Sequence, residues 1–206
     1  MALRSVPSGE ALPARHPTDG RSRPADGSRD VRAFEVGLLA LASSTLYLVS
    51  DVIEVAQGRF SIGQLWLTLL AEATVPIFVI GLWFVQRPRI GRLGAVSAIA
   101  YAYSFVFFTG TVVYALLDGT RDFDQLGAAL DPAMTIHGAV MVIAGIGFGY
   151  AVARARVLPR WTGIALAAGV VLVPLSMGLA DPVGLAGIGI RDLAFAGMGA
   201  ALLRRS

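Results

Sequence analysis

Four carboxylic acids and one arginine stand inside hydrophobic runs long enough to cross a bilayer: Asp51, Glu54, Glu72, Arg191 and Asp192. A carboxylate in hydrocarbon is costly, so acids at membrane depth mark proton chemistry, ion pathways or paired charges. Spacing narrows the choice. Tyr47, Ser50, Asp51 and Glu54 fall at i, i+3, i+4 and i+7, one face of a helix. Thr68, Glu72 and Pro76 share a second face, and Pro76 has no N–H, so the carbonyl of Glu72 loses its helical partner. A kink with a free carbonyl beside a buried acid is a common lining of intramembrane cavities. Tyr103, Phe107, Gly110 and Tyr114 form a third stripe, next to Ser104, Phe108 and Thr111. With four acids against Arg191 and His137 in these runs, at least one acid must be protonated or neutralised by something outside the sequence. A structural reading stays open beside the chemical one. Arg191 paired with Glu72 or Glu54 would hold helices together, Asp51 and Glu54 would snorkel to the nearer interface, and the aromatic stripe would be core.

Other motifs carry less. Ala133-Met-Thr-Ile-His137-Gly-Ala-Val-Met141 resembles the haem-ligating helix of haem–copper oxidases. A second intramembrane His is missing, and Met141 on the same helix cannot be the opposite axial ligand, so His137 reads as a hydrogen-bonding partner at a cavity mouth. Asp118-Gly-Thr-Arg-Asp122-Phe-Asp124 has the DxxxD spacing of membrane prenyltransferases, which hold a magnesium diphosphate between two such motifs. One copy in an exposed loop reads as a solvated acidic loop. Gly145-Ile-Gly147-Phe-Gly149 is mid-helix and follows no strand, so it is not a phosphate cradle. No cofactor and no metal site is expected.

The elements that position these residues follow from composition. The chain has 206 residues, 55% of them hydrophobic, with mean hydropathy +0.68. These values fit an integral membrane protein. The net charge of +3 and a pI near 9.8 do not signal nucleic acid, because the basic residues are scattered over short loops. Every cationic side chain is Arg, which excludes Lys Schiff-base chemistry, and the absence of Cys excludes disulfides, thiolate metal sites and Cys nucleophiles.

Residues 1–32 read as a disordered cytoplasmic tail rich in Pro, Ser, Gly, Arg and Asp, and residues 33–206 as one transmembrane helical domain. The tail has no apolar run of a signal peptide. Six apolar spans are predicted, at 34–55, 62–86, 93–117, 135–153, 161–180 and 183–203, each near the roughly 20 residues that about 30 Å of hydrocarbon requires. Only Asp181-Pro182 divides the last two, so a re-entrant segment over 161–203 stays open. Arginines gather before the first span (Arg4 to Arg32), after the second (Arg87, Arg89, Arg92), after the fourth (Arg154, Arg156, Arg160) and after the sixth (Arg204, Arg205). The opposite loops hold Arg59 and Arg121 with Asp118, Asp122, Asp124 and Asp131. The positive-inside rule therefore places both termini in the cytoplasm of a multi-pass cell-membrane protein. Glu72 then lies roughly 15 Å deep from the outer edge and Arg191 and Asp192 roughly 12–14 Å, at about 1.5 Å per residue. The strongly polar groups thus concentrate in the outer half and at the midplane. Glycines recur on the fourth and sixth spans, where small residues let helices approach closely.

Glu72 and Asp192 on separate helices, with Tyr47, Tyr103, Phe107, Phe108 and Tyr114 nearby, make the chain similar in outline to the small integral-membrane terpene cyclases of bacterial and fungal pathways. The likeness covers size, topology class and acid placement across residues 34–203. It implies an all-helical membrane bundle and an enzyme whose buried carboxyls act on a hydrophobic small-molecule substrate. Glu72 would protonate an alkene or epoxide of a prenyl chain, aromatic faces would stabilise the carbocation, and Asp192 would take the final proton. Arg191 would tune their charge, with Asp51 and Glu54 as further candidates and His137 at the substrate. An outer-half site would need a lateral opening to lipid. Two other classes stay open: a transporter or channel-like protein with the acids as a proton or cation relay, and a non-catalytic protein whose buried charges specify helix pairing with a partner or in a homo-oligomer.

Overall fold

The computed structural model describes residues 27–175 and 181–205. The expected tail up to residue 26, and residues 176–180 of the fifth predicted span, lie outside the described residues. The described chain forms α1 (Gly27–Gln57), α2 (Ile62–Val85), α3 (Gly91–Asp118), α4 (Phe123–Leu130), α5 (Ala133–Ala155), α6 (Arg160–Leu175) and α7 (Asp181–Leu203), with no strand among the described residues. Five stretches are long and apolar enough to cross a membrane: Val31–Gln57, Ile62–Val85, Gly91–Asp118, Ala133–Ala155 and Leu185–Leu203. α6 is apolar but has 16 described residues, short of the roughly 20 a full span needs.

The start of α1 and the presence of α4 depart most from the sequence reading. α1 begins at Gly27, inside the expected tail. Extending a nucleated helix costs far less than starting one, so a polar stretch abutting a long apolar helix propagates its turns. α4 is an additional helix in a loop expected to be irregular. Asp122 caps it by accepting a 2.8 Å hydrogen bond from the Gln125 N–H, so an acid of the DxxxD spacing has a local structural partner. Ser61 caps α2 in the same way, and Gly119 ends α3 in the left-handed region at φ 68°. α2 runs continuously through Pro76. Within that region Ser43 and Thr74 donate hydroxyl hydrogen bonds of 3.0 and 2.8 Å to the carbonyl of Ala71.

The long helices form a closed ring. α1 packs on α2 and α7, α2 on α3, α3 on α5, α5 on α6, and α6 on α7, while α4 touches α3 and α5. Two seams of the ring are set by paired glycines. Gly149 of α5 faces Gly163 of α6, and Gly37 of α1 faces Gly199 of α7, so that a Cβ on either partner would run into the other's carbonyl oxygen. Between helices in hydrocarbon the gain is close van der Waals packing rather than water release, which makes such contacts decisive. Toward the end where α2 finishes and α3 begins, large side chains fill the axis. Phe78 meets Phe195 edge-on at 5.1 Å, Tyr101 lies 5.1 Å from Phe105 and 6.0 Å from Phe195, and Phe148 is fully buried beside them. Outward, Trp66, Ile77, Val96, Ile99, Ile164 and Leu193 are exposed. An apolar belt of this kind would aggregate in water and suits lipid contact.

Candidate functional site

The other end of the ring is hollow. A cavity of about 680 Å³ lies between the helices, inside the roughly 300–1,000 Å³ typical of small-molecule sites. Phe105 belongs both to its wall and to the axial aromatic cluster, so that cluster closes it on one side. Phe123 and Leu126 of α4 contribute to the wall at the end of the ring that the loop charges assign to the outside.

The walls differ in chemistry. α1 and α2 supply Tyr47, Asp51, Glu54, Gln64, Thr68 and Glu72, and α7 adds Arg191. Phe105 and Phe108 of α3, Met141 and Val142 of α5 and Val173 of α6 make the facing wall apolar. On the polar wall Tyr47 donates a 2.6 Å hydrogen bond to Glu72 Oε1. Nearer the α1–α2 turn, Gln64 Nε2 reaches Glu54 Oε2 at 3.0 Å, Thr68 Oγ1 at 3.0 Å and Ser50 Oγ at 3.1 Å, and the two hydroxyls lie 2.5 Å apart. Asp51 lines the same wall and is 8% exposed, while Glu72 is 5% exposed. Asp51 Oδ2, Glu72 Oε2 and Arg191 Nη2 are buried and have no hydrogen-bond partner among the described residues. A buried polar atom without a partner costs about 1–3 kcal/mol, more for a charged group, so each is a point where a bound ligand's polar atom would be stabilised.

The predicted site residues divide into three groups. Tyr47, Asp51, Glu54, Glu72, Phe108 and Arg191 come together in the cavity wall, as the helical phase of α1 and α2 requires. Asp192 is buried but is not part of that wall. It lines a separate, water-sized void of about 10 Å³ with Ser43, Tyr47, Phe78 and Phe195. Arg191 Nε donates to Asp192 Oδ1 at 2.9 Å, and its guanidinium stacks 4.5 Å above the Tyr47 ring. The expected pairing of Arg191 with Glu72 or Glu54 is thus replaced by a pair with its own chain neighbour. Gly169 of α6 presses its backbone against that of Arg191, which fixes the depth of the arginine.

His137, Tyr103, Phe107 and Tyr114 form the third group, and none of them lines the cavity. His137 stacks on Phe107 at 3.7 Å, its Nδ1 is 2.8 Å from the Ala133 carbonyl, and its Nε2 is 3.1 Å from the hydroxyl of Tyr103, which is 58% exposed. Nδ1–H donating to the carbonyl leaves Nε2 to accept from Tyr103. The expected aromatic stripe therefore splits: Phe108 and nearby Phe105 line the cavity, Phe107 and Tyr114 are half-buried against the cluster of Leu65, Val112, Ala115, Leu126 and Met134, and Tyr103 is exposed. Gln64 and Phe105 were absent from the predicted set. Gln64 precedes Thr68 by four and Glu72 by eight, so the helical phase that grouped those two also points to it.

No known protein family, curated protein or solved structure matches this chain.

Proposed function

We propose that this chain is a membrane-embedded enzyme that uses buried carboxyls for acid–base chemistry on a hydrophobic, prenyl-type chain, in the manner of the small integral-membrane terpene cyclases. The observation that carries this reading is the Tyr47–Glu72 pair, 2.6 Å apart, in the wall of a cavity of about 680 Å³ whose other wall is apolar and aromatic. Such a site shields a cationic intermediate from water while keeping a proton donor beside it.

In the proposed reaction Tyr47 holds Glu72 through Oε1, and Oε2 carries the proton. An alkene of the bound chain takes that proton: a C–H bond forms, the π bond breaks, and the positive charge is left on the neighbouring carbon. A second alkene closes a ring onto that carbon. Phe105 and Phe108 stabilise the charge as it moves. The last step needs a carboxylate facing the chain. Asp192 was the expected base, but Asp51 lines the cavity and Asp192 does not, so the base role passes to Asp51 and Asp192 positions Arg191. The product leaves as a cyclic alkene, and the proton taken by Asp51 balances the one given by Glu72.

The test is incubation of membranes containing wild type or Glu72→Gln with a panel of prenyl chains, epoxides and prenylated aromatics, followed by mass spectrometry of extracts. Cyclised product from wild type and at least a hundredfold less from Glu72→Gln is the expected result. No cyclised product from any substrate sinks the reading. One observation favours a second: the cavity ends on the axial aromatic cluster, as the one-sided vestibule of a transporter would. Uncoupler-sensitive solute uptake into proteoliposomes would establish that class instead.

A further inference from the structure

We infer that the cavity is a binding site for a lipophilic organic cation: a protonated amine on a hydrophobic body, with its N–H groups at Asp51 and Glu72. The charges of the wall lead to this ligand. Arg191 is already matched by Asp192 at 2.9 Å, and among the described residues Asp51, Glu54 and Glu72 have no cationic partner within 4 Å. Glu54 is held by Gln64 and Glu72 Oε1 by Tyr47, which leaves Asp51 Oδ2 and Glu72 Oε2, beside the neutral Gln64 Oε1, as buried acceptors of the wall with no partner among the described residues. Both residues are more than nine-tenths buried in the wall of the cavity.

Other ligand classes fit less well. Among the described residues an anion would meet four carboxyls, Asp51, Glu54, Glu72 and Asp131, against one guanidinium that is itself already paired. A bare metal ion needs several oxygen ligands converging on one point, and no group of three or more acidic or histidine side chains among the described residues could hold one. A neutral alcohol offers one hydrogen bond and no charge. An ammonium on an apolar body offers N–H donors to both oxygens, a charge for the acids, and surface for the apolar wall that Phe105 and Phe108 help to form. Where an acid carries a proton in the empty site, that proton leaves as the ammonium arrives, so binding releases acid. This inference goes beyond the proposed reaction, because the ligand arrives as a cation and no bond is made or broken in it. It stands or falls separately from cyclisation.

The test uses the full chain in lipid nanodiscs and two tritiated probes of equal chain length, dodecan-1-amine and dodecan-1-ol, with protein-free nanodiscs subtracted. Saturable amine binding near one per chain is expected, at least tenfold tighter than any alcohol binding, with acid release detected by a pH dye in weak buffer. Asp51→Asn is expected to weaken amine binding by about tenfold and leave the alcohol unchanged. Ala139→Trp keeps every acid while filling the cavity from α5, and it should abolish saturable amine binding even if the Asn variant fails to fold. Equal binding of amine and alcohol would overturn the inference, as would a folded Asp51→Asn or Ala139→Trp protein that binds the amine like wild type.

Discussion

Arg191 touches two neighbours of different kinds, the carboxylate of Asp192 and the ring face of Tyr47, and through Tyr47 it stands one hydrogen bond from Glu72. Removing the arginine alone strands a buried carboxylate. Arg191→Met should therefore destabilise the protein by about 3–5 kcal/mol, whereas Arg191→Met combined with Asp192→Leu should recover most of that loss. Thermal unfolding of both in detergent checks it, and equal losses would show that the pair is not the source of the cost. Tyr47→Phe deletes the one side-chain hydrogen bond to Glu72 among the described residues and should cost about 1–3 kcal/mol, with a larger loss in turnover than in substrate affinity. At this scale the sequence was informative where one helix carries the pattern. The i, i+3, i+4, i+7 spacing of α1 brought Tyr47, Ser50, Asp51 and Glu54 to one place, because phase is a property of a single element. It could not reveal the partner of Arg191, or that Asp192 faces away from the larger cavity, because those depend on how α7 rotates against α1 and α6.

The ring elements are held at defined distances by residues with no side chain. Gly149→Val would drive a methyl group into the carbonyl of Gly163 and should separate α5 from α6 at a cost of about 1–3 kcal/mol or more. Gly63→Ala, in open space near the start of α2, should stabilise slightly, by about 0.5–1 kcal/mol. Melting temperatures of the two variants should move in opposite directions. The six apolar runs were legible because hydrophobic length is a strong signal, and the recurrence of glycine on α5 and α7 pointed to close seams. α4 was not, since eight residues give barely two turns of periodicity and its acids looked like a ligand spacing. The cap at Asp122 resolves that: Asp122→Ala should cost about 1 kcal/mol and fray α4, which hydrogen exchange at Gln125 and Leu126 would register.

For the molecule as a whole, the arginine-rich loops at one end and the acidic loop at the other predict its orientation in the bilayer. The chain has no native cysteine, so single cysteines report cleanly. Gln125→Cys should react with a membrane-impermeant maleimide in intact cells, and Arg89→Cys only after permeabilisation. The reverse pattern would invert the topology and put the cavity on the cytoplasmic side. The closed ring also has a consequence in time. α7 is the last of these helices to be synthesised, yet it seals the ring against α1 and delivers the one arginine of the cavity wall among the described residues. Until it inserts, the ring stands open between α1 and α6, and the wall that holds Asp51 and Glu72 is incomplete. Insertion of α7 therefore closes the ring and completes the wall in a single step, so a nascent chain stalled before α7 carries the acids but not the site.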